Sequence, residues 1–238
     1  MAESADRTAG ARVSPQLALS ISLDDEATLA NFMAGESLEP LLASMRRAPT
    51  AEPLHYLHGA PQAGKSHLLQ ALCHATSGAI YLPLASLADA NPARVFQDLE
   101  HAPLLALDEL QVLAGRGDWE EQLFHLYNRA RDSGCTLWIA ASKPAADLGV
   151  ALADLRSRLA GGITWVLPPY SDADKAAIMQ FRARRRGLEL PDEVAQFLIA
   201  RDSRALGDLL HTLDRLDRAS LQLQRPLTVP LIKEVMGW

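Results

Sequence analysis

The sequence predicts an α/β protein with a parallel sheet, followed by a small all-helical domain. From residue 54 onward, short apolar runs that fit strands alternate with longer segments that fit helices, which is typical of a parallel sheet covered by helices. A Gly-rich loop follows the first of these strands, and ligands of such sheets bind at the carboxyl ends of the strands. After Pro168-Pro169, apolar residues recur at helical spacing instead, which predicts a separate helical domain.

The order of the elements follows from these patterns. Five strands are predicted at 54–58, 79–84, 103–108, 136–141 and 163–167. Helices fit between them at 65–76, 92–100, 118–132 and 150–160. Residues 24–48 are predicted to form two short helices around Gly35. The helical domain is predicted to contain helices at 172–186 (capped by Ser171 and ended by Gly187), 191–201, 204–220 and 228–236. The predicted domain ranges are 24–168 for the sheet and 169–238 for the helical domain.

Composition excludes several classes of protein. The chain has 238 residues, 48% of them hydrophobic and 22% charged, which is enough for a large core, and no apolar run approaches the length of a membrane span. Its two cysteines, Cys73 and Cys135, are far apart, which fits a reducing cytoplasm and supplies no metal framework. A net charge of −6 disfavours autonomous DNA binding. The local cluster of basic residues is interpreted as a solvated face near a helix end: Arg182, Arg184, Arg185 and Arg186.

The N-terminal residues divide into two segments. Residues 1–15 are small and polar with interspersed charges, which predicts a disordered leader. Residues 16–23 alternate between apolar and small or polar side chains. This alternation fits a half-buried strand, and it fits equally well an extended peptide that docks in a groove of another protein with Leu17, Leu19 and Ile21 as anchors.

The loop after the first strand fills every position of the phosphate-binding pattern: Gly59-Ala60-Pro61-Gln62-Ala63-Gly64-Lys65-Ser66. Glycines let backbone N–H groups turn toward phosphate oxygens, and the helix that follows adds the positive end of its dipole. Lys65 is predicted to reach the β- and γ-phosphates, and the Ser66 hydroxyl to hold Mg²⁺. The sequence therefore predicts a nucleotide site.

Further polar residues end two later strands. Asp108 and Glu109 close an apolar strand, where Asp108 is predicted to hold Mg²⁺ through water and Glu109 to polarise an attacking water. The alternative is that Asp108 caps a helix. Ser142 follows the fourth strand, where its hydroxyl could orient water or phosphate, or form a turn before Lys143-Pro144.

Three arginines are candidates for nucleotide-dependent roles. Arg156 and Arg158 lie two residues apart on one helix and therefore face different directions, so one of them could serve a neighbouring molecule. Arg204 opens a helix of the second domain, where an arginine could sense the γ-phosphate. For all three, an exposed arginine without a role is the alternative. His67 and His74 lie on the helix after the loop at a spacing that makes no metal site.

Together these features resemble the AAA+ ATPases. Two stretches, Leu107–Ala114 and Gln122–Asn128, resemble the replication initiator DnaA, as does Asn31-Phe32. Three further features resemble the Hda family, the regulatory inactivators of DnaA. The chain ends after the helical domain, with no length left for a DnaA-type DNA-binding domain, Gln16–Ile21 is similar to the clamp-binding peptide of Hda, and Leu213–Ser220 with Leu227–Pro230 is similar to its C-terminal segment.

The resemblance implies a function and partners. Hda proteins bind the sliding clamp on DNA and stimulate hydrolysis of ATP bound to DnaA, which prevents re-initiation. The resemblance implies that this chain contacts the clamp and DnaA, reaches DNA only through the clamp and contacts no membrane. It also implies a possible homo-oligomer whose formation depends on the nucleotide. Ser142 stands where relatives often have Asp, which implies weak ATPase activity of this chain itself. The alternatives are an autonomous DnaA-like or helicase-loader ATPase, and a nucleotide-binding structural module.

The resemblance also assigns roles to residues. Arg158 matches the arginine offered in trans, with Arg156 as the second choice, and Glu109 is the other catalytic candidate. Clamp contacts fall on Gln16, Leu17, Leu19 and Ile21. ADP or ATP, with Mg²⁺, is expected to contact Gly59–Ser66, His67, Asp108, Ser142 and the second-sensor arginine Arg204.

Overall fold

A five-stranded parallel sheet forms the centre of the first domain in the computed structural model, which describes residues 23–33, 35–49, 52–203 and 205–238. The strands run in the spatial order β2-β3-β4-β1-β5. They are β1 (Leu54–Gly59), β2 (Ile80–Pro83), β3 (Leu104–Asp108), β4 (Thr136–Ala141) and β5 (Ile163–Leu167). Because β1 pairs with both β4 and β5, the loop that follows β1 emerges from the interior of the sheet, beside the carboxyl ends of its neighbours.

Helices cover both faces of this sheet. They are α1 (Glu39–Met45), α2 (Lys65–Ala75), α3 (Leu84–Leu87), α4 (Pro92–Val95), α5 (Gly117–Ser133) and α6 (Ala153–Ala160). The described residues also form 3-10 turns, two of them before α1 and the others between later elements: Leu29–Asn31, Glu36–Leu38, Leu99–His101, Leu110–Val112 and Ala145–Asp147. Alternate residues of each strand point to opposite faces, so Leu105 joins the core beneath α5 and α6, while Leu104 joins the core beneath α1 and α2. Both faces of β3 and β4 are therefore buried, which explains their continuous apolar sequences.

In its described residues, the second domain consists of four helices around a core of its own. They are α7 (Asp172–Arg185), α8 (Asp192–Arg201), α9 (Leu206–Leu223) and α10 (Val229–Met236). Ser171 caps α7 by accepting a hydrogen bond from the amide N–H of Asp174, whose carboxylate accepts from Ser171 in return. The apolar faces of all four helices converge on one cluster, which includes Met179, Leu198, Leu209, Leu213 and Leu231.

Most predicted elements are present, and four differ. Of the two short helices predicted around Gly35, the first is only the 3-10 turn Leu29–Asn31. The predicted helix 92–100 is wrong: α4 ends at Val95 and a 3-10 turn begins at Leu99, because Asp98 between them has a left-handed backbone with φ 59°. Leu84 begins α3 rather than ending a strand. The helix predicted at 150–160 begins only at Ala153. The sheet itself and the helical domain are confirmed.

The described residues leave part of the chain without a structural account. The predicted leader 1–15 and all of the predicted peptide 16–23 except Leu23 lie outside them. Leu23 packs, partly buried, against the core beneath α1 and α2. Within the described ranges, no helix combines the length and the apolar character that crossing a membrane requires.

Candidate functional site

The loop that matches the phosphate-binding pattern connects the last residue of β1 to the first residue of α2. Its first glycine, Gly59, touches β5: a Cβ at this position would lie 2.4 Å from the carbonyl oxygen of Leu167. Its second, Gly64, has φ 91°, and a Cβ there would lie 2.8 Å from the Phe32 ring. Both positions therefore require glycine for reasons of backbone packing and conformation.

Lys65 points back across the loop. Its ammonium group donates hydrogen bonds to the carbonyl oxygens of Gly59 (2.8 Å) and Ala60 (2.7 Å). Burial lowers the pKa of Lys65, and the charges of Asp108 and Glu109 act in the opposite direction. The structure thus brings the loop lysine and the two predicted acids within electrostatic reach of one another.

Asp108 is buried at the carboxyl end of β3, with 2% of its surface exposed. One carboxylate oxygen accepts a hydrogen bond from the Tyr81 hydroxyl (2.9 Å) and the other from the Glu109 amide (2.8 Å). The alternative that Asp108 caps a helix is wrong, because Glu109 precedes the turn Leu110–Val112 and no side chain caps it. The two acids therefore project from the sheet edge that carries the loop.

Glu109 adopts a left-handed backbone with φ 61°, a conformation that is unfavourable for a residue with a side chain. Burial raises its pKa, the charge of Asp108 raises it further, and Lys65 lowers it. A carboxyl group with a raised pKa within electrostatic reach of a lysine suits a general base.

The loop after β4 is tied to its neighbours by two hydrogen bonds. The amide of Ser142 donates to the side-chain oxygen of Gln111 (3.1 Å), and the Tyr56 hydroxyl donates to the carbonyl oxygen of Lys143 (2.8 Å). Sequence reasoning missed Gln111 and Tyr56. The position of Gln111, two residues after the acid pair, is the signal that could have found the first of them.

A cleft of about 240 Å³ separates the loop from the helical domain. Gly64, Lys65 and Ser66 form one side of it, together with Gln62 and His67. Its other walls are largely apolar or aromatic: Phe32, Met33, Tyr170, Ile178, Leu206 and Leu210. Asn31, Gly207 and Arg182 complete the lining. The cleft is therefore lined by loop residues and by apolar and aromatic side chains, and Tyr170 and Arg182 are residues that sequence reasoning did not place there.

His67 fixes one edge of this cleft. Its Nε2 lies 2.9 Å from the carbonyl oxygen of Thr28, and burial lowers the pKa of the imidazole. A neutral ring that donates from Nε2 fits this contact. Burial also raises the pKa of Tyr170 to about 12, so its hydroxyl remains a donor at neutral pH.

The basic cluster on α7 connects the helical domain to the segment before α1. Arg182 pairs with Glu26 (3.0 Å), and Arg185 donates to the carbonyl oxygen of Ala30 (3.2 Å). Arg186 pairs with Asp214 on α9. The interpretation as a solvated face does not hold for Arg182, whose side chain is only 14% exposed. Arg185 and Arg186 are exposed as predicted, and each also contacts another part of the chain.

The two arginines of α6 point to different places, as their spacing predicts. Arg156 donates to the carbonyl oxygen of Val150 (3.1 Å), whereas the Arg158 guanidinium lies 5.7 Å from the centroid of the Tyr127 ring. Both are exposed, and in the described part of the chain neither lines the cleft. The remaining predicted site residues, Arg204 and the clamp-peptide residues Gln16, Leu17, Leu19 and Ile21, lie outside the described residues.

Comparison with known families concerns the helical domain. The family model described as "Hda, lid domain" matches residues 172–236. The helical domain is therefore similar to the lid domain of the Hda family. The resemblance to Hda found in the sequence is thus confirmed over α7 to α10.

Solved structures extend the comparison to the sheet domain. Domain III of Thermotoga maritima DnaA matches with a TM-score of 0.76 and 20% identity, over 91% of this chain and 98% of that one. DnaA of Aquifex aeolicus, described as AMPPCP-bound, matches with a TM-score of 0.69 and 22% identity, over 84% and 68%. A Thermotoga maritima RuvB variant matches with a TM-score of 0.66 and 19% identity, over 89% and 71%. These similarities confirm the AAA+ fold, in which the sheet domain is followed by the helical domain, called the lid from here on.

Proposed function

We propose that this protein binds an adenine nucleotide in the cleft and, while bound to the sliding clamp on DNA, stimulates hydrolysis of ATP held by DnaA. It would thereby act as a negative regulator of replication initiation. The Hda lid and the DnaA-like fold support a DnaA-related regulator. The loop, the cleft and the exposed Arg158 support the finer assignment.

Nucleotide binding is supported by the chemistry of the cleft walls. The aromatic and aliphatic side chains of the lining suit a purine, and Lys65 with the first turn of α2 suits phosphates. Phosphate oxygens would replace the carbonyl oxygens that Lys65 now contacts. The Aquifex aeolicus DnaA structure with a similar fold is bound to AMPPCP.

The residues around the loop also fit Mg²⁺, which takes oxygen ligands and retains several waters. The Ser66 hydroxyl and the Asp108 carboxylate would hold the ion, and each carboxylate oxygen of Asp108 keeps an unused lone pair beside its existing hydrogen bond. Bound Mg²⁺ neutralises charge on the β- and γ-phosphates.

The observation that carries the regulatory part of the proposal is the placement of Arg158. Its guanidinium is exposed on α6, outside the cleft of its own chain, and it rests on the Tyr127 ring. An arginine supplied to another molecule's triphosphate stabilises the charge of the transition state and raises the rate by about 10³–10⁵. We assign this role to Arg158, which would act on the ATP bound to DnaA.

The test is ATP hydrolysis by DnaA in the presence of clamp-loaded DNA, with and without this protein. Wild-type protein should accelerate hydrolysis, and Arg158→Ala should abolish the acceleration. Arg131→Ala, an exposed arginine that pairs with Asp132 on α5, is the matched control and should stimulate fully. Full stimulation by Arg158→Ala would contradict the assignment, and loss in Arg156→Ala alone would transfer it to Arg156.

Clamp binding is proposed for the peptide that contains Gln16, Leu17, Leu19 and Ile21. Replacing Gln16 and Leu19 by Ala should abolish capture by immobilised clamp and the stimulation of DnaA, while ADP affinity stays unchanged. A control with Asp6→Ala and Arg7→Ala keeps the peptide intact and should bind the clamp. Capture of the Gln16/Leu19 variant at wild-type affinity would exclude this peptide as the clamp ligand.

One observation favours the second candidate function, an autonomous ATPase. The loop lysine and both acids are present and interact electrostatically, and Glu109 has a raised pKa. This hypothesis predicts multiple turnover of ATP by the purified protein without clamp or DnaA, abolished by Glu109→Gln. Absence of such turnover contradicts it and leaves the regulatory proposal intact.

A further inference from the structure

Helix α5 contacts the segment that carries Arg158 through a buried acid. Glu120 has 2% of its surface exposed, and its carboxylate accepts hydrogen bonds from three backbone amides. One oxygen accepts from Gly115 (2.7 Å) and Ala151 (3.1 Å), and the other accepts from Leu152 (2.7 Å). Leu152 immediately precedes α6.

These bonds fix where α6 begins. A carboxylate is stable in an apolar interior only when its oxygens are hydrogen-bonded, and backbone amides can satisfy it only in one local conformation. Glu120 therefore holds Ala151 and Leu152 in a defined path, and its negative charge lies near the amino end of α6, where it is favourable.

The same face of α5 makes a second contact with α6. Tyr127 follows Glu120 by two helical turns and is 8% exposed, so its ring is held by the core. The guanidinium carbon of Arg158 lies 5.7 Å from the centroid of this ring, within the range of a cation–π interaction. One residue of α5 thus fixes the start of α6, and another fixes the arginine near its end.

We propose that Glu120 and Tyr127 are positioning residues for Arg158. This inference rests on the proposed function and deepens it. An arginine that stabilises a transition state must be held within a fraction of an ångström of its working position, because small displacements lower the rate of the chemical step far more than they lower binding. Loss of either support should therefore lower the maximal rate of DnaA-bound ATP hydrolysis.

The experiment measures that rate against the concentration of this protein, on clamp-loaded DNA, for four variants. Glu120→Gln and Tyr127→Leu should each lower the maximal rate by about tenfold, with the concentration for half-maximal stimulation changed less than about threefold. Tyr127→Phe keeps the ring face and should retain near-wild-type stimulation. Glu121→Gln is the matched control, because this neighbouring acid is exposed and pairs only loosely with His125 (3.8 Å).

Measuring ADP affinity separates positioning from a general loss of structure. All four variants should bind ADP as the wild type does, since none of these residues lines the cleft. If Glu120→Gln loses ADP binding, the role of Glu120 is structural and the inference fails for this residue. The comparison of Tyr127→Leu with Tyr127→Phe then still tests the inference for Tyr127. Equal loss in Tyr127→Phe and Tyr127→Leu would overturn the cation–π contact as the support.

The outcomes also separate this inference from the proposed function. Absence of stimulation by the wild-type protein contradicts the proposed function itself. Stimulation by the wild type that depends on Arg158 but is unchanged in Glu120→Gln and Tyr127→Leu overturns only the positioning roles.

Discussion

The Tyr81 hydroxyl donates a 2.9 Å hydrogen bond to the buried carboxylate of Asp108, and this contact joins β2 to the acid at the end of β3. Burial raises the pKa of Tyr81, and the charge of Asp108 raises it further, so the phenol remains a proton donor. The acid proposed to hold Mg²⁺ is thus oriented by a neighbouring strand.

Replacing Tyr81 by Phe should destabilise the protein. The change leaves one oxygen of a carboxylate that is 2% exposed without this donor, which typically costs about 1–3 kcal/mol. Urea unfolding of Tyr81→Phe measures the loss. In an Asp108→Ala background the same substitution should cost much less, because the partner is already gone. Equal costs in both backgrounds would show that the hydrogen bond contributes nothing.

Replacing Gly59 by Ala should also destabilise the protein, because the new Cβ would lie 2.4 Å from a backbone oxygen of β5 that cannot move independently of the sheet. The expected loss in the free energy of unfolding is about 1–3 kcal/mol or more. Gly117→Ala is the matched control: Gly117 begins α5, and the Cβ that alanine would add there has no atom within 4 Å, so this change should be neutral or slightly stabilising.

Stability should fall below pH 6.5 because of His55. This histidine is 1% exposed and stacks on Trp138, with ring centroids 4.1 Å apart, while the Trp165 indole donates to its Nδ1 (3.2 Å). Burial lowers the pKa of His55 from 6.5 to about 4, so between these values the unfolded chain binds the proton and the folded protein does not.

The free energy of unfolding should therefore fall by about 2 kcal/mol between pH 7 and pH 4.5. The contribution of the neutral His55 to stability is present above pH 6.5 and is lost progressively as the pH falls toward about 4. Urea unfolding across this range, compared with His55→Phe, isolates the contribution, because the variant lacks the titrating group and keeps a ring. An equally steep pH dependence in His55→Phe would assign the effect to other groups.

Disrupting the pair between Arg182 and Glu26 should affect nucleotide affinity more than stability. The Arg182 side chain is 14% exposed and lines the cleft, whereas Glu26 is 56% exposed. Glu26→Gln should cost less than about 1 kcal/mol in unfolding and keep ADP affinity. Arg182→Ala removes a positive charge from the cleft and should weaken ADP binding by about tenfold, or 1.4 kcal/mol, in titration calorimetry. Equal ADP affinity of the two variants would contradict this role.

The sequence predicted the parts of this protein whose cause is local. Strands buried on both faces, such as β3 and β4, are recognisable because nearly all of their residues are apolar. The loop was predictable because backbone packing and conformation require glycine at two of its positions. Asp108 was predictable because an acid that ends a buried strand lies at the carboxyl end of the sheet. The lid followed from helical periodicity and the cap at Ser171.

The parts that the sequence could not supply depend on distant partners. Glu120 looks like any surface acid on an amphipathic helix until its three amide donors are placed around it. Likewise, Tyr170 and Arg182 enter the cleft only through the way the lid packs on the first domain. The break at Asp98 was missed because a single left-handed residue leaves no periodic signal.

The segment Leu23–Asn31 is hydrogen-bonded to both domains. The Asp24 backbone is held by Gln70 and His74 of α2, and Glu26 is held by Arg182 of α7. A pulling force on the chain ahead of Leu23 is therefore shared by the helix that follows the phosphate loop and the first helix of the lid. Tension on the N-terminal end of the molecule would therefore act on both walls of the cleft at once, which makes this segment a mechanical link between the two domains.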